Sequence, residues 1–282
     1  VRRSAIPTTK LPSGASIPRF GLGTWRMGEN ARRRADEVKA LAHGLALGVT
    51  LIDTAEMYGD GEAESIVADA IGAQRDNVFI VSKVLPENSS RQRTIAACER
   101  SLKRLKTDRI DLYLLHWRGS PPLSETLEAF ATLAKAGKIL NWGVSNFDIG
   151  EMEELAETPG GDAAATNQVL YNLTRRGIEY DLMPWCRARK IPIMAYSPIE
   201  QGRMLGHAAL RDVAARHDVT PAQVALAWLL RQDDVIVIPK ASTLAHVEED
   251  LAALDLPLTP ADLATLDGAF PPPNKPKPLD ML

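Results

Sequence analysis

Four side chains able to hold or move a proton follow apolar runs in this chain. The stretch LIDTAEMYGDGEAE, residues 51–64, opens as a buried strand and ends it on a carboxylate, Asp53. Tyr58 comes five residues later, in a loop broken by Gly59 and Gly61. Lys83 closes the buried run Val78–Lys83, where an ammonium must find a counter-charge, and Asp53 on a neighbouring strand can supply it. His116 ends the run before Trp117. A free phenol has a pKa of about 10, and lowering it by about 2–3 units takes about 3–4 kcal/mol. One ammonium at about 4 Å supplies about 4 kcal/mol at an effective dielectric near 20. Lys83, held charged by Asp53, is therefore expected to make Tyr58 a proton donor for a developing alkoxide, as carbonyl reduction needs. Other chemistries stay open for the same residues. Lys83 could form a Schiff base. Asp53, Glu56 and His116 could hold a metal, although no ligand-spaced motif is present and no metal is expected. Asp53 alone reads as a loop cap, and His116 alone as a structural histidine.

The elements that must position these groups alternate between short apolar runs and amphipathic stretches. Strands are expected at 20–23, 49–53, 78–83, 110–116, 140–145, 165–168, 191–196 and 235–239. Helices are expected at 35–47, 62–71, 91–105, 124–136, 149–155, 181–189 and 221–231, with two more at 244–254 and 260–270. Runs such as Val78-Phe-Ile-Val81 are continuously apolar, as in parallel strands buried on both faces. Alternating strand and helix implies a parallel sheet, and eight such units fit a closed (β/α)8 TIM barrel of the α/β class. A Pro12-Ser13-Gly14 turn places a small hairpin ahead of it. The runs end on Gly23-Thr24-Trp25, Asp53, Lys83, His116, Ser145-Asn146, Gln168, Tyr196 and Pro239-Lys240. In a barrel all these ends converge on one face, where such folds keep their chemistry.

Composition bounds the reading. With 282 residues, a formal charge of −3, 45% hydrophobic and 24% charged residues, the chain fits one barrel domain over residues 1–282. The charge balance gives no support for a nucleic-acid or membrane partner. Two cysteines, Cys98 and Cys186, form no disulfide framework, and VRRSAIPTTK has no apolar core of a secretory signal. A soluble, cytoplasmic protein, taken as a monomer, is expected.

With these residues in view, Asp53, Tyr58, Lys83 and His116 resemble the tetrad of the aldo-keto reductases. The strings LIDTAEMYGDG, VSKV, DLYLLHW, GVSNF, NQVLYN, AYSPI and IPKAS are similar to that family from Gly21 to about Leu254. GTWRMGE, RGIEYDL, PWC, IPKAS with AHVEED, and LDML look most like its bacterial methylglyoxal-reducing branch. The resemblance implies a barrel binding NADPH across the strand ends and reducing small aldehydes and 2-oxoaldehydes. It implies that Tyr58 gives the proton, Lys83 and Asp53 tune it, and His116 orients the carbonyl. It implies that Ser145, Asn146 and Gln168 hold the carboxamide and that Tyr196 stacks on the nicotinamide. Gly23, Thr24 and Trp25, then Ser197, Pro198, Ile199, Gln201 and Gly202, would line the cofactor path. Ile238, Lys240, Ala241, Ser242 and Thr243, with His246, Glu249 and Asp250, would meet the adenosine end. Trp25, Met57 and Trp117 would wall the substrate slot with Tyr58 and His116. A cofactor-binding regulatory protein with little turnover is the alternative on the same fold.

Two departures carry expectations. His246 stands where the family often has arginine, and it is a weaker, pH-dependent phosphate partner. NADPH is therefore expected to be preferred through Lys240 by a reduced margin. The proline-rich segment 271–282 excludes a helix and is expected to lie over the barrel mouth with Leu279 and Met281 packed down.

Overall fold

The computed structural model describes residues 5–282. A hairpin of β1 (Thr8–Lys10) and β2 (Ser16–Pro18) precedes eight parallel strands: β3 (Gly21–Gly23), β4 (Leu51–Asp53), β5 (Phe79–Val84), β6 (Ile110–Leu115), β7 (Ile139–Ser145), β8 (Asn167–Leu170), β9 (Ile193–Tyr196) and β10 (Val235–Val237). Each barrel strand pairs with the next in sequence. The ring closes through a parallel bridge between Phe20 and Val237, with Val237 N–H donating to the Arg19 carbonyl at 2.9 Å and Gly23 N–H to that of Pro239 at 2.8 Å. At this seam a Cβ on Gly23 would lie 2.9 Å from the Ile238 carbonyl oxygen, so the first and last strands meet only because position 23 has no side chain. The expected (β/α)8 barrel is what is found.

Side chains alternate across each strand, which decides what reaches the interior. Leu51, Val81, Leu112, Leu114, Met194 and Ile236 share the inner core, and Leu11 and Ile17 of the hairpin pack with them. Ile52, Ile80, Val84, Tyr113 and Leu115 face the helices instead. Two residues beyond an inward Leu51, Val81 or Leu114, the same phase points Asp53, Lys83 and His116 inward at the far end. The polar layer above the apolar one is thus a consequence of strand periodicity.

The outer helices are α1 (Arg34–Ala46), α2 (Glu62–Ile71), α3 (Arg91–Leu105), α4 (Leu123–Lys135), α5 (Ile149–Glu157), α6 (Leu182–Ala188), α7 (Ala208–His217), α8 (Pro221–Leu230), α9 (Leu244–Ala252) and α10 (Pro260–Ala269). In α3 the buried residues Thr94, Ala97, Cys98, Ser101, Leu102 and Leu105 recur every three or four positions, the stripe of a helix lying on a sheet. Reciprocal capping boxes, Asp148 with Glu151, Thr220 with Gln223 and Thr259 with Asp262, start α5, α8 and α10. Helix α7 was not expected: its inward stripe is only Leu210, Val213 and Ala214, too short to stand out as periodicity. Strand β8 also differs from expectation, running through Leu170 because Val169 and Leu170 pair with Ala195 and Tyr196. No helix among the described residues is long and apolar enough to cross a membrane.

Candidate active site

The site grows from the ends of β4, β5 and β6. Lys83 is fully buried, and its ammonium donates to both Asp53 carboxylate oxygens at 2.9 and 2.8 Å. The same Nζ donates to the Thr54 carbonyl at 2.8 Å and to the Tyr58 hydroxyl at 3.3 Å. It also lies 4.8 Å from the Tyr58 ring centre. Gln168 donates from Nε2 to Asp53 Oδ1 at 2.7 Å, so the carboxylate is bound from two sides. Four oxygens around Nζ leave no approach for a carbonyl carbon, which disfavours the Schiff-base use of Lys83. Glu56 points elsewhere, accepting from Leu85 N–H, Asn88 and Arg100, and so does not join Asp53 and His116 in a metal set.

Tyr58 sits where expected, partly open to the cavity, because the loop after β4 turns sharply. Gly59 lies at φ +56°, and a Cβ there would come within 2.7 Å of the Met27 carbonyl oxygen. The phenol is not acidified, however. Burial first, and then the Asp53 charge, push its pKa well above the ordinary value. The expectation of a lowered phenol is corrected for a physical reason: burial disfavours the phenolate, and the Asp53 carboxylate that binds Lys83 disfavours it further. Lys83 itself is held below its usual pKa by burial, opposed by Asp53. His116 packs edge-on to Tyr58, with ring centres 5.8 Å apart. Burial, and then the Lys83 charge, hold its pKa down to about 2, so it is a neutral imidazole. Its Nδ1 is buried with no partner among the described residues.

Above these groups opens a cavity of about 650 Å³, the size of a small-molecule site. Gly23, Trp25, Asp53, Met57, Tyr58, His116, Trp117, Ser145, Asn146, Gln168 and Tyr196 line one end. Ser197, Pro198, Ile199, Gln201, Gly202, Ile238 and Lys240 carry it to the other. Tyr196 donates to Asn146 Oδ1 at 3.0 Å, and Ser145 donates to the Gln168 carbonyl at 2.8 Å. Thr24 lies behind the wall, donating to the Asp53 carbonyl at 3.0 Å. The segment after β9 holds Ser197, Glu200 and Gln201 at φ +46°, +51° and +54°. Such left-handed residues cost of order 1–3 kcal/mol each. The buried Glu200 carboxylate anchors that segment, accepting from Asn172, Arg175 and Arg203.

Ala241, Ser242, Thr243, His246, Glu249 and Asp250 lie past the Lys240 end, outside the cavity wall itself. Ala241 is buried, and Thr243 caps α9 through the His246 amide at 3.3 Å. Glu249 accepts from the Thr220 hydroxyl at 2.6 Å. Burial, and then Glu249, raise the Asp250 carboxyl to about 7, so it can donate as well as accept near neutral pH. Sequence reasoning missed Arg26, which lines the cavity and stacks 4.4 Å over Trp25, and Leu282. Arg33, in an Arg-Arg-Arg run that reads as a solvated helix start, donates to the Ser242 hydroxyl at 3.2 Å. The tail does reach the mouth: Met281 and Leu282 line the cavity and Asp280 pairs with Arg175 at 3.1 Å. Leu279 packs on the core, whereas Met281 stays 52% exposed rather than packed down.

Residues 19–270 match the Aldo/keto reductase family. The chain is 52% identical over 272 residues to methylglyoxal reductase YeaE of Escherichia coli K12, covering 95% of this chain and 96% of that protein. It is 36% identical to glyoxal reductase of Bacillus subtilis, covering 92% and 91%. A crystal structure of an aldo-keto reductase from Klebsiella pneumoniae in complex with NADPH superposes with a TM-score of 0.96 at 48% identity, covering 99% of this chain and all of that one. A barrel whose strand ends gather an acid, a lysine, a phenol and a histidine beneath a long cavity, matched over nearly its whole length by these proteins, belongs to the aldo/keto reductase family.

Proposed function

We propose that this enzyme reduces small aldehydes and 2-oxoaldehydes, of which methylglyoxal is the type, to alcohols with NADPH. The observation that carries the reading is the Asp53–Lys83–Tyr58 chain beside a cavity of about 650 Å³ that Tyr58 and Lys240 both line. Ser145, Asn146 and Gln168 offer the amide and hydroxyl groups that would hold a carboxamide. Tyr196 would flank the ring, and the segment 197–202 would carry the pyrophosphate. When bound, NADPH supplies the hydride to the carbonyl carbon. Tyr58 then gives its proton to the carbonyl oxygen, and Lys83 stabilises the phenolate left behind. Because the resting phenol is not acidic, this stabilisation has to come in the transition state, where substrate and cofactor have displaced water. A proton on His116 Nε2 avoids a buried, unsatisfied N–H at Nδ1, which makes Nε2–H the donor that orients the carbonyl. Trp25, Met57 and Trp117 would bound a slot suited to small substrates. We also take the chain to be one barrel domain, acting as a cytoplasmic monomer without nucleic-acid or membrane partners.

The test is NADPH oxidation with a panel of aldehydes, native protein against Tyr58→Phe. The variant should lose about 10²–10⁴ in kcat, the usual worth of a positioned acid, while binding NADPH as before. A native protein that binds NADPH yet turns over no carbonyl would overturn the proposal.

A further inference from the structure

Arg33 and Ser242 lie on opposite sides of the barrel seam, one just before α1 and the other just before α9. Arg33 Nη2 donates to Ser242 Oγ at 3.2 Å, and Lys240 Nζ donates to the same oxygen at 3.2 Å. Two cations thus converge on one hydroxyl. Neither pairs with a carboxylate within 4 Å among the described residues. Of the two acids in the first turn of α1, Glu37 accepts from the Gly28 amide at 3.0 Å and Asp36 lies 3.7 Å from Lys39. The Lys240 ammonium is held below its usual pKa, by partial burial and then by the Arg33 charge, so the two cations repel across the Ser242 oxygen. A hydroxyl that accepts twice keeps its own proton to donate, and no hydrogen bond to a described residue uses it, which leaves it available to a ligand. The next residue, Thr243, caps α9, whose positive end opens on the same spot. A guanidinium, an ammonium, a hydroxyl proton and a helix start together call for an acceptor-only dianion. Lys240 also lines the cavity, so this place is its far end.

We propose that Arg33 is a cofactor-discriminating residue: with Lys240 and Ser242 it binds the phosphate monoester on the cofactor ribose, the group that separates NADPH from NADH. This rests on the NADPH reading above and deepens it. Arg33 supplies from the start of α1 the fork of donors that His246 on α9 lacks. The reduced preference expected from His246 is thereby restored from the opposite side of the seam.

Equilibrium binding of NADPH and NADH to the native protein, Arg33→Met and Arg33→Lys tests this, with competition by 2′-AMP and 5′-AMP. Arg33→Met should weaken NADPH by about tenfold, the worth of one charge-assisted pair. NADH should change by less than about twofold, and unaltered NADH binding also reports an intact fold. Arg33→Lys should fall between, since a point charge replaces a fork. The native protein should bind 2′-AMP more tightly than 5′-AMP, and Arg33→Met should lose that difference. Equal weakening of NADPH and NADH would make Arg33 a loop tie only and overturn the proposal. So would unaltered NADPH binding or indifference to 2′-AMP. Failure of carbonyl turnover with this binding pattern intact would remove the reductase reading and leave the phosphate site standing.

Discussion

The two ends of the cavity are built by opposite means. At the Tyr58 end, Asp53, Lys83, His116, Ser145 and Gln168 are 0–6% exposed and stand on strands or within one residue of them. Each has its direction set by strand phase, and all but His116 are held by a side-chain hydrogen bond to a neighbour. At the Lys240 end, Arg33, Lys240, Thr243 and His246 are exposed and stand on loops or first helical turns. The first end has lost its water and its freedom together, so a misplaced charge there is costly. The second keeps both, so its charges act through screened, replaceable contacts. The proposed chemistry is lodged where the fold is stiff, and the proposed choice of cofactor where side chains can change without harm to the fold.

The largest effect separating the two ends should come from Lys83→Met. It strands the Asp53 carboxylate in the interior, at a cost of about 3–5 kcal/mol in stability, and should lower kcat by about 10²–10⁴. Adding Asp53→Asn should recover much of the stability, seen in urea titrations, and none of the turnover. Equal recovery of both would mean that Lys83 only holds the fold. The next effect is in pH. His116 has a folded value of about 2, against about 6.5 in an unfolded chain. Below about 6.5 the unfolded chain binds a proton that the native state refuses, so stability falls as pH drops, by up to about 1.4 kcal/mol per unit for this group. His116→Gln should flatten that slope between about pH 6.5 and 4, and native kcat should show no histidine limb there. Salt gives a smaller effect, at the other end. Raising it to about 0.5 M should weaken NADPH binding about three- to fivefold while leaving kcat at saturation alone, since only exposed charges are screened. The smallest is Arg175→Ala, which frees Asp280 of the tail and removes two bonds to Glu200. A rise in substrate KM of about twofold, with kcat kept, is the scale of a half-exposed pair.

The stiff end was legible from strand position, whereas at the soft end Lys240 and its neighbours were named through the family resemblance and Arg33 was missed. A charged residue after an apolar run has few places to go in a parallel barrel, so Asp53, Lys83 and His116 declare themselves by position. Arg33 does not, because a guanidinium among three arginines is ordinary on any helix start, and only its distance from Ser242 reveals it. Helix α7 and the true end of β8 escaped because their signals are three residues and two. The family resemblance named the cofactor, which periodicity could not have done. The acidified phenol was misread by weighing the Lys83 charge without the burial of the hydroxyl, which a loop position in the sequence does not disclose.

The seam between β3 and β10 has a consequence for motion. Few main-chain bonds lace the first strand to the last, where Gly23 leaves the carbonyl of Ile238 room to approach. A dinucleotide reaching from Gly23 to Lys240 would bridge that gap along its length, behaving as a strut across the weakest join of the ring. Amide protons of Val237 and Gly23 should then be among those whose exchange slows most on saturation, because the ligand closes the local opening through which they meet water. The empty enzyme would breathe along one line, and the loaded one would have none.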